Sequence, residues 1–418
     1  MHPALRAFRH RSFRVFYTGQ GLSLLGSWLQ TVATSWLVYR LTGSAFMLGL
    51  VAGAQQLPML FVAPVAGVWA DRLDRRKLLI VAQTLCALQA LALAALTFAG
   101  LVTVWHVVAF ALVLGLVNAF ETPTRQAFLL EMVGTKEDLP NAIALQSMLF
   151  NGARFVGPTI AGLVLAAAGE AVCFLLNGIS YAAVVAAYWL IRVQPRARAA
   201  APAAWWQELH AGFRYAFGSL ATRRLIMLLA ALSCFSAPWM SLMPIYAAET
   251  FAGDSRTLGV MVSAVGLGAL VGTAFLAMRP NVRGLGRVIA TCTLIAGAAL
   301  TAYAVSHWLW FSLAALTVFG FGLIASVAAT NTVLQTLADE DKRGRIISIY
   351  VMTFLGIAPL GNFVAGTVAE RIGVHWTLAG CGVALFAAAA WFALNLDSWR
   401  RAVRPIYARQ GIVSDRDT

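Results

Sequence analysis

Long apolar runs alternate with short polar connections along the whole chain, and the runs repeat at a nearly constant length. They lie at 13–40, 45–69, 78–99, 103–127, 139–168, 171–192, 222–248, 257–278, 285–306, 308–331, 343–369 and 374–396. Each is near the ~20 residues an α-helix needs to cross the hydrocarbon of a bilayer. The pattern predicts an all-α membrane protein with twelve transmembrane helices.

Charge sets the orientation. All but four of the 31 Lys and Arg residues lie at the two ends or in alternate connections: before Val15, in 72–77, at Arg125 and Lys136, and in 192–224, 279–287, 342–345 and beyond Ser398. Arg40, Arg256 and Arg371 fall on the opposite side, and Arg154 lies inside a span. Positive connections stay cytoplasmic. Both termini are therefore expected inside, in a multi-pass protein of the cell inner membrane.

Composition agrees, with 60% hydrophobic and 11% charged residues and a mean hydropathy of +0.76. The net charge of +14 raises nucleic acid as a partner, but the basic residues flank spans. An anionic inner leaflet explains them more simply, so no nucleic acid is expected. The five cysteines sit in apolar runs with no CxxC and no His at metal spacing. They read as small core residues, with no metal site and no disulfide framework. The Arg-rich start leads into a run too long for a signal-peptide core, so the first span is expected to remain as an anchor.

An internal repeat divides the chain. A constant offset of 204 aligns Phe150 with Phe354, Gly152 with Gly356, Gly157 with Gly361, Ala161-Gly162 with Ala365-Gly366, Val164 with Val368, and Gly169 with Gly373. The segments belong to spans five and eleven, which implies two pseudo-symmetric six-helix bundles. Secondary transporters are often built this way, with the substrate site at the repeat interface near the midplane. The expected divisions are 1–192 for the first half, 193–221 for a cytoplasmic linker, 222–398 for the second half and 399–418 for a cytoplasmic tail. Within the linker, Pro195 to Ala204 reads as flexible. Leu209, Phe213 and Phe217 at helical spacing, with Trp205 and Trp206 at one end, read as an interfacial helix.

The connection after span two reads Gly67-Val-Trp-Ala-Asp71-Arg72-Leu-Asp74-Arg75-Arg76-Lys77. It resembles the signature loop G-x-x-x-D-R-x-x-R-R of the major facilitator superfamily, with Asp74 where Gly is usual. The stretches from Pro123 to Ala127, Leu139 to Leu145, Ala153 to Pro158, Asn331 to Gln335 and Arg343 to Arg345 are similar to its bacterial branch of exporters related to the enterobactin exporter and multidrug efflux pumps. The resemblance implies an inner gate made by Asp71, Arg72, Arg75 and Arg76. Asp71 would meet the positive end of span eleven, where a carboxylate gains ~0.3–1 kcal/mol if exposed. Arg75 and Arg76 would pair with Glu121 or Glu131 at the foot of span four. A topology anchor is the alternative role for these arginines. Ala153-Arg154-Phe-Val-Gly157-Pro158-Thr-Ile-Ala161-Gly162 resembles the antiporter signature of span five, with Ala for Gly at 153 and 161. Pro158 would bend the helix and Gly157 would let a neighbour close in. The superfamily's usual Arg in mid span four is absent, since Leu112-Val-Leu-Gly115 has none.

Two charges look embedded. Arg154 lies about 20 Å from the inner end of span five and Glu121 about 9 Å from that of span four. A mid-span Arg costs on the order of 2.5–3.5 kcal/mol and should face a cavity or a partner. Glu121 and Arg154 are therefore the candidates for proton coupling, with a static ion pair as the alternative. Polar and aromatic residues placed to line a substrate cavity are Gln30, Thr34, Gln55, Gln56, Asn118, Gln146, Asn151, Trp239, Asn331, Tyr350 and Asn362. Uncharged amides beside rings suit a bulky amphipathic ligand. Each could equally make an interhelical hydrogen bond worth ~0.6 kcal/mol.

There is no G-x-x-x-x-G-K-[ST] loop and no Ser/His/Asp set, so neither an enzyme nor a cofactor is expected. The reading is a monomeric, secondary active, proton-coupled exporter of a siderophore or drug by alternating access. A solute:proton symporter, a lysophospholipid flippase and a non-transporting sensor stay open.

Overall fold

Helix follows helix throughout the computed structural model, which describes residues 3–133, 137–191, 214–279, 281–339 and 342–409; among them there is no strand. A short 3-10 helix (Pro3–Arg9) leads into α1 (Arg11–Thr42), α2 (Ala45–Arg72), α3 (Arg75–Phe98), α4 (Val104–Val133) and α5 (Leu139–Leu190). Then come α6 (Leu220–Ser236), α7 (Pro238–Ile245), a π-helical turn (Tyr246–Thr250), α8 (Ser255–Ala277), α9 (Leu285–Val305), α10 (Leu309–Leu337), α11 (Arg343–Ile372), α12 (Val374–Leu394) and α13 (Leu396–Arg409).

Ten of these segments are long and apolar enough to cross a membrane. One of them, α5, is 52 residues long and breaks at Gly169, where φ is 79° and ψ 174°. Its two arms, 139–168 and 170–190, correspond to two of the apolar runs. The 32-residue α1 is long enough to span but too polar to stand among the ten. The chain is thus a multi-pass, all-helical membrane protein.

Two compact units form. The first holds Met1–Pro202 and Met243–Ser263. In it α1 packs along α5, α2 along α4 and α3 along α5. Phe13, Phe16, Leu79, Phe128 and Tyr188 form a fully buried cluster near the chain start. Their spacing puts the rings on the inward faces of α1, α4 and α5. The second unit holds Ala203–Leu242 and Ala264–Thr418. There α9 packs on α10 and α12, and α6 on α11. Leu225, Ile289, Val333 and Phe392 lie at its core.

The expected tail departs from a simple extension, because residues to 409 form the helix α13. Trp399, Val403 and Tyr407, at i, i+4 and i+8, are all buried against the second unit. Burial pushes the Tyr407 hydroxyl up to about 12. The linker residues 193–213, most of the expected interfacial helix, Lys136 and residues 410–418 lie outside the described residues.

Candidate functional site

Asp74 starts α3 by accepting a hydrogen bond from the Lys77 N–H at 3.1 Å. A short carboxylate cap here satisfies an orphan donor of the first turn, which explains Asp at a position where the related signature has Gly. The next two residues are thereby fixed in direction. Arg75 Nη1 reaches Glu131 Oε1 near the end of α4 at 2.6 Å, and both side chains are largely covered. Arg76 turns to the end of α5 and donates to the Tyr188 and Trp189 carbonyls, both at 2.7 Å, with its guanidinium over the Trp189 ring. A cation there satisfies the last carbonyls of the helix and meets the negative end of its dipole. The side chains of Asp71 and Arg72 lie outside the described residues. A second contact joins the chain start to α5, where Asp138 accepts from His10 at 3.0 Å and lies 3.8 Å from Arg6.

Glu121 does not pair with Arg154. Its partner is Arg125, one turn along the same helix, whose Nε donates to Glu121 Oε1 at 2.8 Å. Both are buried. Gln83 Nε2 on α3 donates to the same oxygen at 3.3 Å, and the Arg125 guanidinium lies 4.9 Å from the Phe150 ring centre. The i,i+4 spacing makes this pair local, whereas Arg154 sits about 11 Å further along the bundle axis. Arg154 itself is exposed on α5 and makes no ion pair or hydrogen bond with the described residues.

The amides divide into two groups. Gln30 lies within a buried network in which Asn177 Nδ2 donates to Gln30 Oε1 at 2.5 Å and Gln30 Nε2 donates to Gln89 Oε1 at 3.0 Å. That network ties α1, α3 and α5 together. Asn362 accepts from Ser241 at 2.9 Å, and Asn331 accepts from Gln335 at 3.0 Å. Asn151 donates to the Ser147 carbonyl of its own helix at 2.9 Å. Tyr350 donates to the Val327 carbonyl at 3.3 Å and stacks on Phe354, and Trp239 meets Phe319 edge-on. Thr34, Gln55, Gln56 and Asn118 are half-buried and Gln146 is buried. The side chains of these five make no hydrogen bond with the described residues, so they remain available to a ligand.

At the far end of the first unit, α5 meets the start of α8 with almost no side chain between. A Cβ on Gly162 would come within 2.6 Å of the Ser255 carbonyl, and one on Gly259 within 2.5 Å of the Pro158 carbonyl. Thr159 donates to Ser263 at 2.7 Å across the same seam. Gly157 backs onto Trp28 of α1. Beyond the seam Arg40 pairs with Glu170 at 2.9 Å. Arg40, Glu170, Trp36 and Asp254–Arg256 line a hollow of about 310 Å³. The sequence reading missed this outer group, although Arg40 and Arg256 were already marked as charges on the minority side.

The chain is similar to known proteins along most of its length. Residues 3–405 match a family described as transmembrane secretion effector. The chain is 23% identical over 371 residues to a staphyloferrin A transporter of Staphylococcus aureus, covering 88% of this chain and 92% of that protein. It is 27% identical over 363 residues to the multidrug efflux pump Tap of Mycolicibacterium fortuitum, covering 84% and 88%. Among solved structures, a bacterial homologue of the human lysosomal transporter Spinster, inward-facing and occupied, superposes with a TM-score of 0.75 at 14% identity, covering 96% of this chain and 99% of that one. At that identity the likeness speaks for the fold alone.

Proposed function

We propose that this chain, which belongs to the transmembrane secretion effector family of major facilitator transporters, is a proton-coupled exporter of amphipathic small molecules. It is a transporter and not an enzyme. The observation that carries the export reading is the match along more than four fifths of the chain to pumps named for efflux. The reading has twelve spans, counting α1 and both arms of α5, with both ends in the cytoplasm of a bacterial cell and the protein in its inner membrane as a monomer. The polarised Lys and Arg distribution supports it.

Asp71, Arg72, Arg75 and Arg76 act as the inner gate. Arg75 grips Glu131 and Arg76 grips the end of α5, so the loop between α2 and α3 is fastened to two other helices. Releasing it means breaking a charge-assisted contact, and a contact of that kind is worth about 1.5–3 kcal/mol. Cargo that pulls the helices apart supplies this energy.

Glu121 carries the proton. In its charged form it accepts from Gln83 Nε2 and Arg125 Nε. Gln83 Oε1 is buried and accepts nothing among the described residues. A protonated Glu121 donates to that oxygen once the amide turns over, so both protonation states have a partner. Arg125 holds the charged form and burial opposes it. Cargo entry shifts this balance, and each proton entering down the potential releases about 2.3 kcal/mol per 100 mV. Thr34, Gln55, Gln56, Asn118 and Gln146 supply free polar groups for cargo. Gln30, Asn151, Trp239, Asn331, Tyr350 and Asn362 frame it through the contacts described above.

The test is uptake of a labelled amphipathic drug into everted vesicles whose lumen is acidified relative to the medium. Accumulation that collapses with a protonophore supports the reading. Accumulation only in right-side-out vesicles overturns export.

A further inference from the structure

Arg154 stands apart from these contacts. It sits midway along the first arm of α5, exposed, without a partner among the described residues. A charge at that depth is costly, so the direction in which it faces decides its meaning.

The direction follows from its own helix. Pro158 is four residues on and Ala161 seven, so both share the Arg154 stripe, with Gly162 close beside it. Pro158 and Gly162 are covered by α8, and Ala161 is fully buried. The exposed apolar side of the helix beside the seam is elsewhere. Val156 and Leu163, two and nine residues from Arg154, are exposed at 45% and 52%, and lie about 180–200° round the helix. Arg154 therefore lies on the stripe that α8 covers further along, about 6 Å past the end of the covered seam. Ser147 and Asn151 continue that stripe and are polar, and a Cβ on the neighbouring Gly152 would meet nothing within 4 Å.

A second feature sits at the same residue. Pro158 has no N–H to offer the carbonyl four residues back, which is that of Arg154. The turn thus presents a cationic fork and a backbone acceptor that has lost its regular helical partner. Glu121 does not neutralise the fork, because it is engaged by Arg125. Phe150, one turn below on the same helix, carries the Arg125 guanidinium over its ring.

We propose that Arg154 is a binding residue for the cargo itself, holding a carboxylate by its guanidinium fork, and that the exported molecules include carboxylate-bearing amphiphiles. The planar fork matches a carboxylate in two parallel hydrogen bonds, which a Lys cannot reproduce. Asn151 and the Arg154 carbonyl take up a hydroxyl or amide neighbouring the carboxylate. This assignment rests on the transporter reading but not on export or on the proton step.

The experiment is equilibrium binding of citrate, as a small carboxylate probe, to the full-length protein in nanodiscs, with triethyl citrate as the uncharged comparison. Citrate should bind the wild type, Arg154→Gln should weaken it by about tenfold or more, and Arg154→Lys should fall between. Triethyl citrate should not distinguish the three. Because Arg154 has no partner among the described residues, Arg154→Gln should melt at or above the wild-type temperature, whereas a structural role would lower it. Equal citrate binding by wild type and Arg154→Gln overturns the proposal, as does the absence of citrate binding to the wild type. Binding needs no gradient, so its failure is separate from a failure of export.

Discussion

Gly169 and Gly373, 204 positions apart, adopt the same backbone conformation, with φ 79° and ψ 174° at the first and φ 86° and ψ 158° at the second. This region is essentially closed to residues with a side chain. Each glycine ends one long helix and turns the chain directly into the next. Neighbouring contacts recur at nearly the same offset. Gly157 closes on α1 and Gly361 on α6, while Gly115 closes on α2 and Gly320 on α8. The repeated letters in the sequence thus mark repeated packing.

Gly169→Ala and Gly373→Ala should therefore cost alike, about 1–3 kcal/mol each. The expected result is a drop of a few degrees in the unfolding temperature of the purified protein for both. Gly380→Ala serves as the control, since that glycine is helical and its added methyl meets nothing within 4 Å. A drop confined to one of the pair would mean that the two turns are not equivalent.

Removing either partner of the Arg75–Glu131 contact should impair transport without preventing insertion. The pair is short and mostly covered, so a double-mutant cycle on Arg75→Ala and Glu131→Ala should give a coupling of about 1–3 kcal/mol. The combined exchange Arg75→Glu with Glu131→Arg should recover part of the transport lost by either single reversal. Coupling near zero in the melting temperatures would reduce these residues to topology markers.

Much of this was legible in advance, and the misses have a physical pattern. The apolar runs gave the helices, because length and hydropathy are local properties. The Arg75–Glu131 contact could be anticipated because signature loop and helix foot share one side of the membrane. The Glu121 partner is harder to read from sequence because Arg125 also fits the pattern of orientation charges, although its i,i+4 spacing is the shortest route to a pair. Gln30 reads from sequence either as a cavity amide or as an interhelical hydrogen bond. Its engagement with Gln89 and Asn177 depends on which faces α1, α3 and α5 present to one another, and no single segment carries that information. The α13 helix did carry a local signal, the i, i+4, i+8 spacing of Trp399, Val403 and Tyr407, hidden by the arginines between them.

Trp399 should prove to be the peg that holds α13 in place. Its indole N–H donates to the Ala221 carbonyl at 3.0 Å, and its ring fills the space beside Gly286. Arg224 reinforces the joint by donating to the Asn395 carbonyl at 3.1 Å and to Ser398. Trp399→Ala should cost roughly 3–5 kcal/mol of packing. Limited proteolysis should then cut within 396–409 in the variant and spare it in the wild type. Equal resistance would show that α13 is held by something other than the indole.

Arg125→Met should be far more damaging than Glu121→Gln. The first leaves a buried carboxylate without its cation, at a cost of about 3–5 kcal/mol. The second removes the countercharge of the buried Arg125 guanidinium but leaves it an acceptor oxygen and the Phe150 ring, and lets the new amide bond to Gln83. The double substitution Arg125→Met with Glu121→Gln should recover much of the stability lost by Arg125→Met alone, read as melting temperature.

The seam between α5 and α8 should behave as a moving part. Gly162 and Gly259 let two backbones touch where a single methyl would lie 2.6 Å from the Ser255 carbonyl or 2.5 Å from the Pro158 carbonyl. Such contact is held by dispersion and by the Thr159–Ser263 hydrogen bond, interactions that separate without stranding a charge. Gly162→Leu should therefore hold the seam open while the rest of the first unit stays folded. The expected outcome is faster labelling of Thr159→Cys by a membrane-impermeant thiol reagent added from outside to whole cells, together with loss of net transport. In the parent background labelling should be slow, and it should speed up when cargo is turning over. If Gly162→Leu transports normally, or if labelling is fast in both backgrounds, the seam does not open and close with transport.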